Sequence, residues 1–81
     1  MNIDNKIIKG LRSEVITFLL WDELFDSCYR TKNIELIEKV RNAEVVCLTD
    51  AEKTLLSIKK DQLQVRIEEL TEIKIKQKTR D

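Results

Sequence analysis

Thr49-Asp50-Ala51-Glu52 opens a run, TDAEKTLLSIKKDQLQVRIEELTEIKIK over residues 49–76, that contains neither proline nor glycine. The first four residues fit a capping box. The Thr49 hydroxyl suits the Glu52 amide, and the Glu52 carboxylate suits the Thr49 amide. No helix breaker comes after them, so the reading is one helix from Asp50 to about residue 76. At about 1.5 Å per residue it is about 40 Å long, more than the diameter of a small domain. Leu56, Leu63, Ile67 and Leu70 share one narrow stripe at helical spacing. Ile58 and Val65 lie opposite, and Leu55 lies to one side. Either the rest of the chain covers both sides, or one side is a partner or self-association surface; the spacing leaves both open. Leu56, Leu63 and Leu70 are seven apart, but Lys60 and Lys74 between and beyond them argue against a sustained coiled coil.

Upstream, the same logic predicts two more helices. Asp4 or Asn5 is a suitable N-cap, and Ile8, Leu11, Val15, Phe18 and Leu19 come next at helical spacing. The expected first helix spans about 4–30, with Gly10 bending it or setting off a short leading turn, in which case Ser13 caps the longer part. Residues 15–21 (VITFLLW) are apolar almost all round, as expected of a central, buried segment, and are too short to cross a bilayer. Asn33 caps an expected second helix over about 34–44, with Ile34, Leu36, Ile37 and Val40 on one side. Glu35 and Glu38 near its start and Lys39 and Arg41 near its end suit the helix dipole. The fold class read here is all-α: one domain, a small three-helix unit with a long C-terminal helix.

Composition agrees. The 81 residues include no proline and one glycine, Gly10, where average usage gives about four and about six. A chain this short has a thin core, often completed by a disulfide, a metal or a second subunit. Cys28 and Cys47 are the only cysteines and there is no histidine, so a closed zinc site of about four ligands is not expected. The first ten residues carry no apolar run of signal-peptide length, so the expectation is a reducing cytoplasm and buried free thiols, although spacing alone leaves a Cys28–Cys47 disulfide open. Oligomerisation is then the expected supplement.

Fifteen Lys and Arg balance fifteen Asp and Glu. Residues 13–52 hold four bases and nine acids, while both ends are mildly basic. That distribution lacks the basic footprint of a dedicated nucleic-acid binder, and direct sequence-specific DNA reading is not expected. Catalytic patterns are absent: no histidine base, no glycine-rich phosphate loop and no CxxC pair. Asp22, Glu23 and Asp26 read as a solvated face or a patch for a basic partner. Lys74, Ile75, Lys76, Lys78 and Arg80 read as a solvated helix end, with phosphate or anionic membrane as the functional alternative. Trp21 reads as a core residue. No cofactor is expected, and the class of function is a non-catalytic regulator that binds another protein.

Ile34, Glu38-Lys39-Val40, Leu48-Thr49-Asp50 with Glu52, and Asp61 stand in gap-free register with the middle helices of the Hha/YmoA family of small enterobacterial nucleoid modulators, which residues 33–61 resemble. The resemblance implies docking onto the basic dimerisation region of a nucleoid-structuring protein through Glu38, Asp50, Glu52 and Asp61. Gln62-Leu63 stands where the family has His-Arg, and the family's Trp-containing C-terminal segment has no counterpart. In general character the chain also resembles the small early proteins of T-even phages, among them a cytoplasmic lysis-inhibition protein. That likeness implies contact with a holin's cytoplasmic segment, for which Ile58 and Val65 on the second side of the long helix and the basic C-terminal end are the contacts expected.

Overall fold

The computed structural model describes residues 2–78, with side chains as far as Ile75. The chain is predominantly helical. It runs α1 (Ile3–Gly10), β1 (Val15–Thr17), α2 (Phe18–Cys28), α3 (Ile34–Asn42), β2 (Glu44–Val46) and α4 (Asp50–Lys78). The single helix expected over 4–30 is two helices with a strand between them. Val15, Ile16 and Thr17 pair in parallel with Glu44, Val45 and Val46. Both segments are rich in β-branched residues, which lose rotamer freedom in a helix and sit well on a pleated surface. The second helix accordingly stops at Asn42 rather than residue 44.

Caps fix the remaining boundaries. Asn2, not Asp4 or Asn5, caps α1, its side chain accepting from the Asp4 amide at 2.9 Å. The Asp4 carboxylate instead accepts from the Thr31 hydroxyl, tying α1 to the turn after α2. Thr17, not Ser13, caps α2 by accepting from Leu20 N at 3.4 Å. Asn33 caps α3 as expected. Thr49 caps α4 through the Glu52 amide at 3.1 Å. The Glu52 carboxylate reaches one residue further back than a capping box requires and accepts from Leu48 N at 2.7 Å.

Gly10 ends α1 where the chain passes close to α2. A Cβ there would meet the Leu24 side chain at 2.6–3.1 Å, so the contact needs a residue without one. Trp21 is the middle of the core, as read from sequence. It is fully buried, flanked by Phe18 and Phe25 with ring centroids 6.2 and 5.6 Å away, and its Nε1 donates to Val40 O of α3 at 2.9 Å. Ile7, Ile16, Leu36, Ile37 and Val40 complete the cluster with Leu63, Ile67 and Leu70 from α4. Segment 15–21 is not buried all round, however. Val15 is exposed because the strand turns alternate residues outward, and Leu19, in the first turn of α2, is 76% exposed.

Candidate functional site

The two sides of α4 have different fates. Leu63, Ile67 and Leu70 are buried and Leu56 is half-buried against the core. Opposite them Ile58 and Val65 stand 48 and 53% exposed, and Leu55, to one side, is 44% exposed. Of the alternatives left open by spacing, the described residues favour the second: they do not cover this side. Leu55, Ile58, Gln62 and Val65 succeed one another at alternating three- and four-residue steps, the spacing of a seam that receives another helix. Glu69 and Glu72 continue the same steps towards the C-terminus.

A notch adjoins the N-terminal end of this seam. It is lined by Thr17, Phe18, Leu19, Val46, Leu48 and Glu52. Leu48, at 88% exposure, precedes the α4 cap, where an apolar residue ordinarily packs against the fourth helical position. That position is Lys53, so Leu48 has no apolar partner there and points outward. Glu52 lies one turn before Leu55, which makes notch and seam neighbours. The exposure of Leu19 and Leu48 was not legible in the sequence, where Leu19 continues a core spacing.

The two flanks of the seam differ electrostatically. Lys59 forms an ion pair with Asp22 and lies over the Phe25 ring at 5.0 Å. Arg66 donates to Tyr29 O and Thr31 O, both at 3.4 Å. These cations are engaged in holding α4 to α2. On the other flank Asp61 and Glu68 are exposed. Asp22 thus serves an interhelical pair rather than a separate acidic face with Glu23 and Asp26.

The acidic residues expected to act together are dispersed. Glu38 lies on α3, lining an open groove with Leu11, Ser13, Glu14, Glu35 and Lys39. Asp50 makes an exposed pair with Lys53 at 4.0 Å, and Glu52 is occupied in capping. Only Asp61 stands beside Ile58 and Val65. Of the basic C-terminal run, Lys76, Lys78 and Arg80 lie outside the residues whose side chains are described; Lys74 borders a small recess with Lys32, Leu70 and Ile73.

Cys28 and Cys47 are both free thiols. Burial pushes the Cys28 thiol up to about 12, against a smaller opposing effect of Arg66. A sealed thiol held protonated is a poor nucleophile. Burial and then the nearby Glu69 charge raise the Tyr29 phenol as well. Among the described residues no three Cys, Asp or Glu side chains converge as metal ligands, and no helix is long and apolar enough to cross a membrane. Compared with protein-family models, with curated proteins and with solved structures, the chain matches none.

Proposed function

We propose that this chain is a non-catalytic, cytoplasmic regulator that acts by binding another protein, and that it docks through the outward seam of α4. The observation that carries the reading is the exposure of Leu55, Ile58 and Val65 in one row on a helix whose opposite row is core. Apolar rows rimmed by charge mark interaction sites more often than do scattered apolar residues. An enzymatic reading has no comparable support, since among the described residues the strongly perturbed group, Cys28, is sealed in the core.

Of the two partner classes expected from sequence, the seam favours the second. A lysis-inhibition regulator contacting the cytoplasmic segment of a holin is expected to do so through an apolar stripe and the basic C-terminal end, and Ile58 and Val65 lie together on such a stripe. A nucleoid modulator of the Hha/YmoA kind needs Glu38, Asp50, Glu52 and Asp61 available to a single basic surface. Their separate positions and the capping duty of Glu52 weigh against it.

Affinity purification from the native host tests the proposal, comparing the wild-type chain with Ile58→Asp and Val65→Asp. The expected result is that a partner identified by mass spectrometry is lost in both variants while far-UV circular dichroism is unchanged. Equal recovery from all three chains refutes the docking surface. Loss of helicity shows instead that the two residues belong to the core.

A further inference from the structure

We infer that the occupant of the α4 seam is a helix of a different protein, apolar along one stripe and basic along its flank, rather than a second copy of this chain. The inference rests on the docking role just proposed and adds the chemistry of what docks.

The seam is graded along its length. Its N-terminal half is apolar, at Leu55, Ile58 and Val65, and its continuation is acidic, at Glu69 and Glu72, with Asp61 and Glu68 alongside. Among the described residues none of these four carboxylates takes part in an ion pair; Glu68 only accepts from Gln64 Nε2 at 3.5 Å. Among the described side chains the cations nearest the seam, Lys59 and Arg66, are held by Asp22 and by the carbonyls that end α2. The unmatched charge of the described part of this face is therefore negative, and an occupant contributes most by bringing cations to it.

A second copy leaves the acidic half of the seam unmatched in either direction. Packed antiparallel about Lys60, it pairs Leu55 with Val65 and Ile58 with Gln62 of the other copy, but Glu69 and Glu72 then fall opposite Ala51 and Leu48 and Asp61 lies beside the other Asp61. Packed parallel, it aligns each apolar residue with its counterpart but also sets Glu69 against Glu69 and Glu72 against Glu72. Like charges brought together at a helix seam oppose pairing. From Leu55 to Glu72 the seam is about 26 Å long at about 1.5 Å per residue, which an occupant of about 18 residues spans.

The test titrates the full chain with two fluorescent 18-residue amphipathic peptides. Both carry the same leucine stripe, one flanked by lysine and the other by glutamate. Lysine-flanked peptide is expected to bind at least about tenfold more tightly at low salt, each exposed pair adding only a fraction of 1 kcal/mol. The gap narrows as salt rises, and the double variant Glu68→Lys, Glu72→Lys, which brings positions 61, 68, 69 and 72 from −4 to 0, removes it. Equal binding of the two peptides, binding of neither, or an order that survives the charge reversal overturns the inferred chemistry. Ile58→Asp and Val65→Asp separate that failure from failure of the docking role. If they abolish binding of both peptides, the seam still docks and only the charge argument is lost. If neither weakens binding, the seam is not the docking surface. A dimer in sedimentation that Ile58→Asp dissociates makes the second copy the occupant and overturns the inference as well.

Discussion

Leu63→Ala and Val65→Ala, two residues apart on α4, should differ several-fold in cost. Leu63 is 0% exposed in the cluster around Trp21. Its truncation removes buried methyl and methylene groups and leaves a cavity, a loss of about 2–5 kcal/mol. The whole stability expected for 81 residues is about 4–12 kcal/mol, so this is a large share of it. At about 4–8 °C per kcal/mol for a domain of this size, the melting temperature falls by at least about 8 °C. Val65 is 53% exposed. Two methyl groups are worth about 1.6 kcal/mol when fully buried, hence about 0.8 kcal/mol when half-buried. Alanine's better helix propensity returns about 0.5 kcal/mol. The net change is within about 0.5 kcal/mol. Urea titrations monitored by circular dichroism, with the m-value checked for constancy, give both numbers. A Val65→Ala cost as large as that of Leu63→Ala refutes the reasoning, since it means that something already covers the outward seam. A midpoint that rises with protein concentration would then name a second copy as the cover.

Four further predictions concern the core. Gly10→Ala should destabilise by about 1–2 kcal/mol, because overpacking against the locked Leu24 side chain outweighs alanine's advantage of about 0.5–1 kcal/mol in a helix; an unchanged or raised urea midpoint contradicts the close approach. Trp21→Phe should cost about 2–4 kcal/mol, combining a cavity with the loss of the hydrogen bond to Val40 O, and a loss under about 1 kcal/mol in the same assay removes Trp21 from the centre of the core. Cys28 has its thiol raised from 9.0 to about 12 on folding, so the stability that it contributes is complete below pH 9.0 and is lost between pH 9.0 and about 12. The fall is at most about 1.4 kcal/mol per pH unit, and a Cys28→Ala chain should show a correspondingly flatter alkaline profile. In native buffer a thiol reagent should label Cys47 while Cys28 reacts only on unfolding; prompt labelling of both contradicts the sealed core.

Residues 49–76 by themselves determined that there is a long α4, where it begins, and that it has two apolar sides. These are local matters: a cap is made within four residues, and helical spacing repeats every few. Asn33 determined the start of α3 in the same way, and Trp21, at the end of the apolar segment 15–21, read as core. The strands were decided elsewhere. Val15–Thr17 extends because Glu44–Val46 lies beside it, and a three-residue strand has too little length to show a period of its own. Its apolar residues therefore read as more of the helix that flanks it. The surface was also decided in three dimensions. Which side of α4 is covered depends on where α2 and α3 pack, not on the composition of either side. The outward placement of Leu19 and Leu48, and the separation of Glu38, Asp50 and Asp61, result from the same packing. A sequence displays which side chains seek burial; only the folded chain determines which of them have none left to find.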